Sequence, residues 1–97
     1  MEYEKEGEYY QCPCCDYFTL FERGIYQPCP VCFWEDDGTN IDTPDKYSKA
    51  NYLLSLREAR DNFKRLGVSD EYWVDLTPYE DRFQYIRKKR TLPPFEH

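Results

Sequence analysis

CPCCDYFTLFERGIYQPCPVC, residues 12–32, holds all five cysteines of the chain, at positions 12, 14, 15, 29 and 32. Cys12 and Cys15 form one C-x-x-C pair, Cys29 and Cys32 a second, and thirteen residues, Asp16 to Pro28, separate them. Each C-x-x-C turn can aim both of its sulfurs at a single ion, and two such pairs at this separation have the ligand spacing of a tetrahedral four-cysteine zinc site. Cys12, Cys15, Cys29 and Cys32 are therefore the expected metal ligands, for one Zn²⁺ per chain. The stretch between them then has only to go out and return as a β-hairpin.

Working outward, Tyr9 to Gln11 reads as a short strand entering the first knuckle, and residues 1–8 as polar and loose. Tyr17 to Phe21 and Ile25 to Gln27 read as the two limbs of the hairpin, turning through Glu22-Arg23-Gly24. Asp16 stands just after the second ligand, where the backbone of a knuckle turns toward positive φ, a region that Asp tolerates better than most residues. Phe33 holds the matching place in the second knuckle, where a bulky ring is costly, so a different local backbone is expected there. Cys14, between two ligands, is expected to point away from the ion as a buried structural thiol. The sharper readings of Cys14 are a redox-sensitive thiol or an alternative ligand.

The pattern CPCC at 12–15, Thr19-Leu20, CPVCFWEDDG at 29–38 and SLREARDNFKRLG at 55–67 resembles the cysteine-rich CPCC family, over roughly residues 10–67. The resemblance implies a small bacterial zinc-ribbon protein, and in that pattern Asp16 replaces a frequent Gly. Asn51 matches a recurrent position of the family and reads as a cap or loop clamp.

Beyond the ribbon, Thr39 to Tyr47 reads as a loop. Ser55-x-x-Glu58 is a capping box, followed by Leu56, Ala59, Phe63 and Leu66 at helical spacing and by Gly67 at the stop. Arg57, Glu58, Arg60, Asp61, Lys64 and Arg65 fall to the polar faces. Ser69 to Leu76 suggests a short helical turn. A second capping box, Thr77-Pro78-Tyr79-Glu80, opens a helix whose inward stripe is Tyr79, Phe83 and Ile86 and which ends in Arg87-Lys88-Lys89-Arg90. The expected fold is small α+β: a four-cysteine zinc-ribbon β-hairpin module packed against two C-terminal helices. It forms one domain over 1–97, with the ribbon at 9–38, a helix at 48–67, a short turn plus helix at 68–90 and a tail at 91–97.

Charge limits the partners. Residues 1–47 carry eleven acids against Lys5, Arg23 and Lys46, whereas residues 48–97 carry eight acids against ten bases. Four thiolates on a divalent ion add two further negative charges, so the metal-bearing half repels phosphate backbones and nucleic acid is disfavoured there. No apolar run approaches the ~18 residues of a membrane span. The opening MEYEKEGEYY lacks an apolar signal region, and a reduced, cytoplasmic monomer is expected. Trp34 with Glu35, Asp36 and Asp37 offers an aromatic anchor beside an acidic edge, suited to a basic protein partner. The same acids fail as a calcium loop, because Phe33 falls where the first carboxylate belongs. The basic run 87–90 suits a helix C-terminus, or else a phosphate or acidic-partner patch.

No catalytic constellation emerges: His97 stands at the chain end, and four thiolates close a metal site to substrate. The expected function is a non-enzymatic interaction module, an adaptor or inhibitor of a basic partner, built on structural zinc. The alternatives are a rubredoxin-like iron electron carrier and a thiol-redox protein using Cys12, Cys14 and Cys15.

Overall fold

The computed structural model describes residues 4–76, 82 and 84–95. Three antiparallel strands lead into the first knuckle: β1 (Lys5–Glu6), β2 (Tyr9–Gln11) and β3 (Phe18–Leu20), in the order β1-β2-β3. The segment expected to be loose is thus partly a strand. Gly7, at φ 58°, takes the left-handed turn conformation that joins β1 to β2 in two residues. A register shift at Tyr10/Gln11 changes the pairing from Tyr10↔Leu20 to Gln11↔Phe18, an irregularity of the bulge type. A second small sheet pairs β4 (Tyr47–Ser48) with β5 (Leu54–Ser55) around a 3-10 turn at Lys49–Asn51.

Helix α1 spans Leu56–Leu66, beginning later than the expected 48–67 because β4, the 3-10 turn and β5 come first. Its ends match the sequence. Ser55 and Glu58 form the reciprocal capping box, and Gly67 closes the helix at φ 79° with its amide on Phe63 O. The buried stripe is Leu56, Ala59, Arg60 and Phe63. It meets Leu20, Val31, Trp34 and the cysteines in one buried cluster.

Two expectations fail. The hairpin's returning limb does not pair with β3. Instead Tyr26 N donates to Asp36 O, Asp36 N donates to Gln27 O, and Pro28 bridges Glu35. The reasons are local: Tyr26 sits at φ 64°, Pro28 has no N–H to give a ladder, and the Gln27 side chain itself accepts Phe21 N at 2.8 Å.

The second C-terminal helix is also absent among the described residues, where α1 is the single α-helix. Its capping box, Tyr79 and Phe83 lie outside them, as does His97. Where the helix was to end, residues 86–90 run extended along the first knuckle. Phe18 N donates to Ile86 O, Tyr17 bridges Arg87, and Lys88 N donates to Asp16 O. The expected turn at Ser69–Leu76 includes a 3-10 helix at Glu71–Trp73, capped by Asp70. No helix among the described residues is long and apolar enough to cross a membrane.

Candidate metal centre

The two knuckles are built alike. In the first, Asp16 N donates to Cys12 O at 3.0 Å and Cys12 N to Tyr17 O at 2.8 Å. In the second, Phe33 N donates to Cys29 O at 2.9 Å and Cys29 N to Trp34 O at 2.9 Å. Asp16 and Phe33 take φ of 68° and 67°. The expectation of a different second backbone is therefore wrong: the turn is the same, and Phe33 bears the strain while stacking on Trp73 at 5.2 Å.

These turns bring Sγ of Cys12, Cys15, Cys29 and Cys32 within 4.8 Å of one another, all fully buried. Two of the pairs run between knuckles at short range: Cys12–Cys32 at 3.6 Å and Cys15–Cys29 at 3.7 Å. A tetrahedron with metal–sulfur bonds of ~2.3 Å has edges of ~3.8 Å, so the donor set fits one thiophilic ion. All five cysteines are free thiols rather than disulfides. Burial pushes the Cys15 and Cys32 thiols well up and the Cys12 thiol up. At Cys29 burial pushes the same way, but hydrogen bonds from the other three ligand thiols and from Thr19 outweigh it and hold the thiol well below its ordinary value. Thr19 Oγ1 lies 3.1 Å from Cys29 Sγ and Val31 N donates to the same sulfur at 3.4 Å, so Cys29 is a ready-made anion site.

Three arginines hold the first knuckle by its backbone. Arg90 Nη2 donates to Cys12 O at 3.0 Å, Arg60 Nη1 to Pro13 O at 2.7 Å, and Arg87 Nε to Cys15 O at 2.9 Å. Asp16 anchors two of them. Its carboxylate receives Arg60 through both Nη atoms at 2.8 and 3.0 Å, Arg90 Nε at 2.8 Å and Arg90 N at 2.8 Å. Gln11 Nε2 completes the clasp, donating to Asp16 O and Lys88 O. Cations around a knuckle oppose the excess negative charge of four thiolates on a divalent ion, and outer hydrogen bonds of this kind orient ligands. The basic run is thus neither a helix end nor wholly a free surface.

Sequence reasoning placed Arg60 on a polar face, yet it is 8% exposed. The signal was present: 56, 59, 60 and 63 follow the i, i+3, i+4, i+7 pattern of one helix face. For Arg87, Arg90 and Gln11 the linear sequence offers no comparable signal, because their partners lie across the fold.

The acidic edge requires correction. Trp34 and Asp36 are both 0% exposed. Asp36 accepts Arg23 Nε at 2.6 Å and Nη2 at 3.1 Å, with the amides of Gly24 and Gly38 at 2.8 and 3.2 Å. A buried carboxylate with these donors is structural. Asp37 is half-buried; hydrogen bonds with Ser48 and Thr39 outweigh burial and lower its carboxyl below the ordinary value. Glu35 is pinned through its backbone, with Asn51 Oδ1 accepting Glu35 N and Asn51 Nδ2 donating to Glu35 O, both at 2.8 Å. Asn51 is the clamp that its position implied. Asp36→Lys is expected to cost about 3–5 kcal/mol by replacing the carboxylate that pairs with the buried Arg23 guanidinium, read as a lower denaturation midpoint.

Cys14 is 2% exposed and is not one of the four clustered sulfurs. Cys14→Ser is expected to keep full metal stoichiometry with a packing loss of about 1 kcal/mol, whereas Cys12→Ser loses metal. Metal content of the two purified variants checks this.

The family model described as Cysteine-rich CPCC matches residues 10–81. The chain belongs to the cysteine-rich CPCC family. The match runs past the 67 at which the sequence motifs end, and takes in the 3-10 helix that carries Trp73. In this CPCC chain, Arg87 and Arg90, which hold the first knuckle, lie beyond the matched stretch. Neither a curated protein nor a solved structure matches the chain.

Proposed function

We propose that this CPCC chain is a zinc protein whose single ion is structural, and that it acts without catalysis as an adaptor or inhibitor of a basic protein partner. The observation that carries the reading is the complete burial of four thiol ligands around one point. A catalytic ion keeps a coordination position for water or substrate, and a closed four-sulfur set leaves none. Free thiols and a metal centre are compatible with a reducing compartment.

The surface offered to a partner moves from the buried Trp34 and Asp36 to the aromatic face beside them. Phe33, Tyr52, Tyr72 and Trp73 contact one another there, with Tyr52 61% and Tyr72 67% exposed. Tyr52 and its neighbour Leu53 stand outward on consecutive left-handed residues, φ 56° and 65°, a strained backbone for side chains of this size. Exposed Glu71 and Asp75 flank the second half of the face, and the chain's net charge is −6, which supports a basic partner.

The test has two parts. Metal analysis of protein purified from its native cell is expected to give one zinc per chain and no colour; a red protein with visible thiolate-to-iron bands overturns zinc in favour of an electron carrier. Cross-linking in the same cells is expected to capture a basic protein whose yield falls about tenfold in Tyr52→Ala/Tyr72→Ala. Capture that is unchanged in that variant, or an acidic partner, overturns the surface.

A further inference from the structure

Not all the basic residues are taken up by the knuckle. A groove of about 570 Å³ lies between α1 and residues 87–91. The Asp16, Arg60 and Arg90 cluster lines it together with Lys64, Arg87 and Lys89. Asp16 already faces two guanidiniums, so it cannot balance the others. Lys64, Arg87 and Lys89 have no carboxylate within ion-pair distance among the described residues. All three are exposed.

The groove is also preorganised. Arg87 Nε is fixed on Cys15 O, and its guanidinium lies 5.4 Å from the Tyr17 ring and 5.5 Å from the Phe63 ring. Among the described residues its Nη groups have no protein acceptor, so a planar fork of donors is held in place without a ligand of its own. Arg60 and Arg90 are held just as firmly by Asp16. The thiolate centre and Asp16 offset part of this fixed positive charge, and Lys64, Arg87 and Lys89 leave the groove a site of positive potential open to an anion.

We propose that this groove binds a small polyphosphate anion, a pyrophosphate-type group free or borne on a small molecule. Guanidinium forks pair with phosphate oxygens through two parallel hydrogen bonds, and the two lysines add point charges. Three cations with no carboxylate partner among the described residues match a trianion better than a lone carboxylate. The groove has the volume of a small-molecule site. A long polyanion is disfavoured by the chain's net charge of −6.

Calorimetric titration of the metal-loaded full chain with inorganic pyrophosphate tests this, with metal content verified in every variant. Saturable binding at one site is expected, weakening as salt rises. Lys64→Ala/Lys89→Ala is expected to weaken it about tenfold or more, while Lys46→Ala/Lys49→Ala, equally cationic and outside the groove, stays within about twofold. Arg87→Lys keeps the charge but loses the fork, and is expected to weaken binding about fivefold. Absence of saturable binding overturns the proposal, as does equal weakening in the two lysine pairs. A single-stranded oligonucleotide that binds more than about tenfold tighter than pyrophosphate overturns the small-anion identity in favour of nucleic acid.

Discussion

A chelator that strips the ion from the centre is expected to unfold the chain, with loss of the far-ultraviolet signal of α1 and of protection at the knuckle amides. Structural zinc in comparable small sites contributes ~10–16 kcal/mol, about the whole stability of an ordinary domain at ~5–15 kcal/mol. The four sulfurs sit at the centre of the same buried cluster as Leu20, Trp34 and Leu56, so losing the ion leaves four polar groups in the core rather than a vacancy at the edge. Proton competition sets the pH dependence. Burial holds the Cys12, Cys15 and Cys32 thiols above their ordinary value, so at neutral pH the ion must displace their protons. Metal affinity, and with it the stability of the loaded chain, therefore falls as pH drops and rises as pH climbs toward the thiol range. Metal retained by the folded chain against a fixed concentration of competing chelator, followed from about pH 6 to 9, is expected to fall as pH drops. Retention that does not change with pH would show that the thiols do not ligate the ion.

How much of this was legible depended on whether the partners are close in sequence. The gathering of Cys12, Cys15, Cys29 and Cys32 was, because two C-x-x-C turns impose their own geometry. Helix α1 was too, since Ser55, Glu58 and Gly67 supply both caps within the helix's own span. The hairpin was misread because β-propensity at Ile25 to Gln27 says nothing of what else can take the ladder's place. Here the Gln27 side chain satisfies Phe21 N, and the backbone of Tyr26 and Gln27 turns to Asp36. The basic run 87–90 was misread for a related reason. Four consecutive cations look like a helix end or a surface, and nothing nearby reveals that Cys12 O and Cys15 O, more than seventy positions away, accept from two of them. Acidity misled likewise at Glu35-Asp36-Asp37. Three adjacent acids read as an acidic edge for a partner, yet the middle one is enclosed by Arg23 and two amides.

Asp16→Gly separates two explanations of the residue that closes the first knuckle. Its φ of 68° makes Gly the less strained choice, worth about 1 kcal/mol to the variant. Against that, Asp16 is the carboxylate between Arg60 and Arg90, with a side chain 2% exposed, and its loss strands two guanidiniums beside the metal knuckle. Breaking a buried pair by removing one partner costs about 3–5 kcal/mol, so charge wins and the variant is destabilised by about 2–4 kcal/mol net. Asp16→Asn keeps the tolerance of positive φ while removing the charge, and is expected to lose nearly as much. Arg60→Met in the Asp16→Gly background then recovers part of the loss, because the most buried unpaired cation has gone. Guanidinium denaturation of the metal-loaded single and double variants gives the comparison. If Asp16→Gly matches or exceeds the parent's stability, the cluster contributes nothing and the backbone alone decides position 16. If instead both Asp16 variants fall together and Arg60→Met rescues, the arginine clasp on the first knuckle is part of what holds the metal centre in shape.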